Sequence, residues 1–423
     1  MALSNDQQLI ADKFILFLNN PNQSEFVVEG HPGTGKSFLT KHLIELIRTQ
    51  NQLVQLISPG EHEITIHCTA TTNKAAEVLT LLSEQEAGTI HSLLGLKVSN
   101  NNDDGTTSLR RTGSAKPVKN SVIFIDEASY IDKKLLKLIR DGTMGCKIIF
   151  IGDPYQLTSI HESVCPVFTD IPLKGTLTDS QRFSNGGPID DTAINLRDTI
   201  RTETWHAIVP DGKIITQVDG PTFKKEVNLA FGNKAAPKDH NKILAWSNST
   251  VLAYNDYVRD LQGVPPEFTV GETVITNKPI LDCGGWVAYN TEAHARVTRT
   301  TPGTRNGIEG WNIVLDNHVE TFQPAKPHEV KYLLKELARK CKNKEAYWSE
   351  FFKVKEYFGD LRASHACTVY KAQGSTYHTV FVDLPNIGKE NHWQKVARML
   401  HVAITRASDR IVLYGDLPKK YKP

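Results

Sequence analysis

At 423 residues the chain is longer than one hydrophobic core usually supports, and roughly two to four domains are expected. Its 49 basic and 47 acidic residues leave a formal charge of +2, which excludes a uniformly basic polyanion binder, so any nucleic-acid surface has to be a local patch. Six cysteines without a C-x-x-C pair suggest neither a zinc nor a disulfide framework, and no apolar run approaches the roughly 18 residues of a membrane span.

The N-terminal "MALSNDQQLI" carries no leader-like pattern, so a soluble protein of a reducing, cytoplasmic compartment is expected, with no membrane partner. Phe26 to Val28 is a short apolar run that enters Gly30-His31-Pro32-Gly33-Thr34-Gly35-Lys36-Ser37. Phe38, Leu39, Leu43, Leu46 and Ile47 then recur at helical spacing. Strand, glycine-rich turn and helix in that order fit a P-loop, whose amides wrap the phosphates of a nucleotide. Gly33, Thr34 and Gly35 form the expected cradle, Lys36 reaches the β- and γ-phosphates, and Ser37 holds Mg²⁺ at the positive end of the helix dipole. ATP and Mg²⁺ are therefore the expected cofactors. The competing reading is a glycine turn beside a surface lysine, which leaves the placement between strand and helix unexplained.

Further buried-strand candidates are Ile64 to Cys68, "VIFI" (Val122 to Ile125) and "KIIFI" (Lys147 to Ile151). In an open parallel sheet ligands sit at the carboxyl ends of strands. "VIFIDEAS" delivers Asp126 and Glu127 to such an end: Asp126 can complete a magnesium shell, and Glu127 can orient or deprotonate water, which argues for hydrolysis. Between Lys97 and Asn120 the chain turns polar, and composition leaves a disordered loop and a hairpin with "DDG" at its turn equally open. A second strand and helix series starts at "KILAWSN" (Lys242 to Asn248), followed by an amphipathic run from Thr250 to Leu261. It resumes at "TVFVD" (Thr379 to Asp383) and "RIVLYGD" (Arg410 to Asp416). Between lie the β-like pieces "FTVGETVIT" (Phe268 to Thr276) and "WNIVL" (Trp311 to Leu315), then a charged helical stretch from Pro327 to Phe358. Lys331, Lys335, Lys340, Lys342 and Lys344 there read as a solvated helix face. The fold class is α/β, two cores each interrupted by an insertion.

Taken in order, these and further strings resemble the superfamily-one helicases, most closely the Dda-like helicases of tailed bacteriophages and their RecD-like relatives. "LSNDQQ" (Leu3 to Gln8) is similar to the adenine-reading segment, with Gln7 in the glutamine position. "ATTNKAA" (Ala70 to Ala76) and "TIHS" (Thr89 to Ser92) resemble single-strand contact motifs, and "GDPYQL" (Gly152 to Leu157) a γ-phosphate sensor with Gln156. "LTDSQR" (Leu177 to Arg182) and "VAITRA" (Val402 to Ala407) resemble the segments that supply two arginine fingers, Arg182 and Arg406. "TVYKAQGST" (Thr368 to Thr376) is similar to the first of the two late motifs of that family, "VAITRA" to the second. The chain departs from the usual pattern at Thr71 and Ser159, where relatives carry proline, and at Tyr370, a common histidine position.

The resemblance implies two RecA-like P-loop cores, residues 1–96 with 121–182 and residues 183–267 with 361–423. It also implies a hairpin pin at 97–120 and a β-barrel-like plus helical insertion at 268–360. Gly374 joins the ATP-binding set, and the strand contacts carried over are Thr72, Asn73, His91, Thr368, Lys371 and Ser375. Leu109 is the expected apolar residue near the pin tip, with Arg110 and Arg111 beside it. The implied activity is ATP-dependent 5′ to 3′ translocation on single-stranded DNA with duplex unwinding, by a protein active as a monomer. Its implied partners are single-stranded DNA, fork or tailed duplex DNA, and replication or recombination proteins; a phage-encoded chain would work in the host-cell cytoplasm. Another P-loop enzyme, such as a small-molecule kinase or assembly factor, leaves "KAQGST" and "AITRA" unexplained. A clamp without activity leaves Lys36 and Glu127 unexplained. His91 has a structural alternative as a core-filling histidine, and the two arginines as surface ion pairs.

Overall fold

In the computed structural model, residues 3–58, 60, 63–159, 162, 164–178, 187–232 and 240–421 are described. Strands that are apolar on both faces need cover on both sides, and the chain provides it twice. The first sheet is wholly parallel, in the order Lys174–Leu177, Glu25–Gly30, Lys147–Gly152, Ser121–Asp126, Thr65–Ala70, Ala87–Thr89. Alternation along Ser121–Asp126 sends Val122 and Phe124 to one face, packed with Phe14, Phe17, Leu39 and Leu43 of the helices Asn5–Asn19 and Lys36–Ile57. Ile123 and Ile125 go to the other face, packed with Leu136 and Ile139 of the helix Lys133–Asp141. The second sheet is also parallel, in the order Ile215–Val218, Ala407–Tyr414, Tyr377–Asp383, Asn241–Ala245, Ala366–Thr368. Val380, Val382 and Leu413 pack on helix Trp393–Thr405, and Phe381 and Val412 on the side of helices Gly220–Phe231 and Asn248–Leu261.

Two elements depart from these layers. The polar stretch after Leu94 forms an antiparallel hairpin, Leu96–Asn100 against Thr107–Arg111, turned through Asn101 to Thr106 with Gly105 at φ 72°. Leu109 does not sit near the tip. It pairs with Val98 midway along the hairpin and packs on the first core, because the tip is entirely Asn, Asp, Gly and Thr and the apolar residue is drawn to the core instead. The second element is a five-stranded antiparallel sheet, in the order Glu320–Pro324, Ile308–Leu315, His294–Arg305, Thr273–Thr276, Leu361–Arg362. Its two edges meet where the Gly359 N–H donates to the Phe322 carbonyl (2.7 Å) and the Leu361 N–H to Gln323 Oε1 (2.8 Å), which curls it into a barrel-like form. The strand expected over Phe268 to Thr276 is only Thr273–Thr276, since Phe268 instead fills the barrel core and a turn precedes the strand. The long charged stretch breaks into two helices, Pro327–Lys342 and Trp348–Tyr357.

The hairpin and this insertion touch. Asn100 Nδ2 donates to Glu356 Oε1 (3.0 Å), and the Lys97 ammonium lies 5.5 Å from the centre of the Trp286 ring. Gly105 lies so close to Trp348 that a Cβ there would come within 2.4 Å of the indole.

Candidate nucleotide cleft and strand-contact residues

Gly33 at φ 88° and Gly35 at φ 80° give the loop after Glu25–Gly30 its left-handed turns, which a side chain would strain. Thr34 is buried beneath it, its hydroxyl donating to the His31 carbonyl (2.8 Å), and the helix starts at Lys36. Lys36 Nζ donates to the carbonyls of Gly30 (2.8 Å) and His31 (3.0 Å). Burial pulls this ammonium below its ordinary value even though Asp153, Glu127 and Asp126 face it.

Two strands over, beyond Lys147–Gly152, Asp126 ends Ser121–Asp126, and its carboxylate accepts from the Glu127 amide (2.7 Å). Burial and the adjacent Glu127 carboxylate push the Asp126 carboxyl up to about 6. Glu127 has a left-handed backbone, φ 52°, uncommon for a side chain of this kind and held from two sides. The Thr71 hydroxyl donates to the Glu127 carbonyl (2.9 Å), which gives the threonine that replaces the usual proline a task. On the other side Gln373 Nε2 donates to Glu127 Oε2 (2.9 Å).

The loop after Lys147–Gly152 is gripped by the second core. Arg398, buried on helix Trp393–Thr405, donates through Nη1 to the carbonyls of Pro154 (2.5 Å) and Gln156 (2.7 Å). One helical turn on, His401 Nε2 lies 3.5 Å from the Asp153 carboxylate, both groups fully buried. Burial by itself would raise Asp153, but the His401 ring, Lys36 and the Tyr155 amide outweigh it and hold the carboxyl at about 2. Arg406 follows the same helix, only 5% exposed, with Nη1 on the Ser375 carbonyl and Nη2 on the Thr405 hydroxyl (3.1 Å each).

These residues meet in one cleft of about 790 Å³. Its walls include Gly33, Gly35, Lys36, Ser37, Asp126, Glu127 and Gln156 from the first core, and Gly374, Ser375 and Arg406 from the second. Ser375, expected on the nucleic-acid strand, thus faces the nucleotide cleft, because the chain turns at Gly374 (φ 78°). Gln7 does not line the cleft. It is buried in a capping box, accepting from the Ser4 amide at Oε1 (3.0 Å) while its own amide donates to Ser4 Oγ (3.3 Å). Arg182 lies outside the described residues.

The expected strand contacts share one local design, a strand end passing through a threonine N-cap into a helix. Thr72 accepts from the Ala75 amide (3.2 Å) ahead of Asn73, Thr89 from Ser92 (3.1 Å) ahead of His91, and Thr368 from Lys371 (3.4 Å). His91 is half-buried, and burial lowers its imidazole against the pull of Asp132. Lys371 Nζ lies 3.0 Å from Glu292 Oε1 and donates to Asn277 Oδ1 (2.6 Å), so it is tied to the barrel insertion. Gln373, Arg398 and His401 are contacts that reading the chain did not single out. Gln373 is inside the "KAQGST" string, and Arg398 and His401 stand three apart on the helix leading to "VAITRA".

Residues 18–162, most of the first core, match the family described as AAA domain, and residues 363–414, in the second, the UvrD-like helicase C-terminal domain. Over 90% of its length the chain is 26% identical to the ATP-dependent DNA helicase dda of Enterobacteria phage T4, across 92% of that protein. It is 29% identical to the ATP-dependent RecD2 DNA helicase of Deinococcus radiodurans, over 92% of this chain and 47% of that one. The structure of Pif1 helicase from Bacteroides in complex with ADP-AlF3 and ssDNA aligns over 100% of this chain and 95% of its own. Its TM-score is 0.50 at 13% identity, a likeness of fold that extends to two RecA-like cores. With the nucleotide cleft formed between those cores, and the two matched regions falling in the corresponding order, the chain is similar over most of its length to superfamily-one helicases.

Proposed function

We propose that the protein is an ATP-dependent DNA helicase that moves 5′ to 3′ on single-stranded DNA and opens duplex ahead of it. The observation that carries this reading is that Lys36, Glu127 and Arg406 line one cleft from two different cores. A nucleotide there completes its protein shell only when the cores close, and hydrolysis lets them open, so each turnover becomes relative domain motion. If each core also holds a strand through the Thr72, Thr89 and Thr368 turns, that motion becomes stepping. Separating a base-pair step takes roughly 1.4 kcal/mol, well within what a nucleotide-driven closure supplies. The polarity and the partners, single-stranded and forked or tailed DNA, are supported by the family resemblance.

Mg²⁺ fits the donor set: Ser37 offers a hydroxyl and Asp126 a carboxyl pushed up by burial and by the adjacent Glu127 carboxylate, a cost that a cation relieves. Among the described residues no three His, Cys, Asp or Glu gather into a metal cluster, as suits a cation held largely by phosphate. We assign residues 1–96 and 121–182 to the first core, 183–267 and 361–423 to the second, with insertions at 97–120 and 268–360. No described helix is long and apolar enough to cross a membrane, and we place the protein in the cytoplasm, acting as a monomer.

The reading is tested by ATPase assays with and without single-stranded DNA, and by unwinding of duplexes with 5′ or 3′ tails. Strong stimulation and opening of the 5′-tailed substrate are expected; an ATPase indifferent to nucleic acid would favour another P-loop enzyme.

The hairpin at 97–120 is proposed as the separating wedge. A wedge must resist the fork, and this one is braced on the barrel insertion at Asn100, Lys97 and Gly105. Shortening Asn100 to Thr112 to a two-residue turn is expected to abolish unwinding while strand-stimulated ATPase and translocation continue. Full-rate unwinding by the shortened protein would make the hairpin a passive loop.

A further inference from the structure

Of the six tryptophans Trp286 alone is exposed, at 69%, and it belongs to none of the apolar cores. It is nevertheless fixed. Ile280–Leu281 and Val287–Tyr289 form a short antiparallel ribbon on the barrel insertion, and Asp282 closes its turn. Asp282 Oδ1 accepts from the amides of Gly284 and Trp286 (2.9 Å each), and the Asp282 amide donates to the Trp286 carbonyl (2.8 Å). Gly285 turns at φ 78°, and a Cβ at Gly284 would come within 3.1 Å of the indole, so the two glycines let the ring lie along the turn. A single exposed apolar side chain needs no explanation, but its surroundings here do.

The neighbour of the ring is the hairpin of the first core. The Lys97 ammonium lies 5.5 Å from the indole centre, and Lys97 stands directly opposite Arg110 in the hairpin ladder. Alternation puts these two on the face away from Leu109, which packs on the first core, and both are exposed. Like charges directly opposite each other destabilise a strand pair. Among the described residues Lys97 contacts the Trp286 ring and Arg110 the Ser108 hydroxyl (2.9 Å), and neither forms an ion pair. Two cations without a carboxylate, beside a fixed aromatic ring, suit single-stranded nucleic acid, with phosphate on the cations and a base on the ring.

We propose that Trp286, with Lys97 and Arg110, forms a second single-strand site outside the cores, which stacks a base of the strand that the hairpin peels away. The proposal rests on the reading of the hairpin as a wedge given under Proposed function. Thr72, Thr89 and Thr368, the expected contacts of the tracked strand, belong to the cores. Trp286 belongs to the barrel insertion and meets hairpin residues on the face turned away from the first core. A strand that reaches this face has parted from the one on the cores. Stacking one of its bases there keeps that base from pairing again, so an opened step is less readily reversed.

Equilibrium binding is measured with four DNA probes: a bare single strand, a 5′-tailed duplex, the same duplex with a 3′ single-stranded arm on the opposite strand, and that fork with abasic sites at the first positions of the arm. One stacked base corresponds to roughly 5- to 100-fold in affinity, and at so exposed a ring the unaltered protein is expected to bind the fork about 5- to 10-fold more tightly than the tailed duplex. Trp286→Ala should erase that gain and Trp286→Phe keep most of it. Neither should change thermal melting, bare-strand affinity or strand-stimulated ATPase. The abasic arm should lose the gain on the unaltered protein, which a purely mechanical brace between Trp286 and Lys97 does not predict. No gain with the unaltered protein, or a gain that survives either Trp286→Ala or the abasic arm, overturns the proposal. So does an equal loss on the bare strand, which would put Trp286 on the tracked strand. The two readings fail separately. Full-rate unwinding by the protein with the shortened hairpin removes the wedge and this site with it. If shortening abolishes unwinding while Trp286→Ala keeps the fork gain, only the site at Trp286 fails.

Discussion

Replacing Glu127 by Gln is expected to give a protein that binds ATP and does not hydrolyse it, with a loss in turnover of roughly 10² to 10⁴. The substitution changes little else. Gln has the same length and tolerates the same backbone, and its amide oxygen can still accept from Gln373 Nε2, so the bridge between the cores stays in place. What disappears is the capacity to take a proton from water. Equilibrium nucleotide binding and single-turnover hydrolysis distinguish this from a folding defect, and turnover at the wild-type rate would remove the carboxylate from the mechanism. Lys36→Ala provides the contrast, because Lys36 lies in the phosphate cradle and its loss should weaken nucleotide binding as well as turnover.

Arg406→Ala is expected to have the larger effect, about 10³ to 10⁵ in rate by comparison with arginine fingers of other P-loop enzymes. The guanidinium lines the cleft and is held by the carbonyls of Val402 (3.3 Å) and Ser375 (3.1 Å) and by the Thr405 hydroxyl. Arg406 also adds to the depression of the Lys36 ammonium, so two cations face one cleft and a triphosphate relieves their repulsion. Truncation should therefore lower ATP hydrolysis far more than ATP affinity. Arg406→Lys, which keeps the charge but not the planar fork, should recover little of the rate. Loss of DNA binding with intact strand-independent hydrolysis would instead place this arginine on the nucleic acid.

Much of the cleft was legible because its parts are local. A strand, a glycine turn and a helix within fourteen residues make the phosphate cradle (Glu25 to Phe38), and Asp126 and Glu127 follow directly on a buried strand. The threonine N-caps are equally short-range. Periodicity was a poorer guide where packing decides. Leu109 looked like a tip residue and is an anchor, and only the last four residues of "FTVGETVIT" form a strand because Phe268 is drawn into the barrel core. Gln7 was expected to read adenine, yet in this structure its amide closes a capping box, a use that the spacing of Ser4 and Gln7 already permits.

By itself, then, the order of residues determined the nucleotide loop, the paired carboxylates and the two strand-and-helix series, each set by contacts among neighbours in the chain, while the polar stretch after Lys97 stayed open between a loop and the hairpin that the structure shows. Tertiary structure decided which distant residues complete the site. Gln373 reaches Glu127 across 246 positions, Arg398 reaches the Gln156 loop across 242, Lys371 meets Glu292, and Trp348 receives the hairpin turn at Gly105. No periodicity or local propensity encodes such pairs, because they arise only when two independently wound sheets and their insertions pack against each other, and that packing is what turns separate motifs into one cleft.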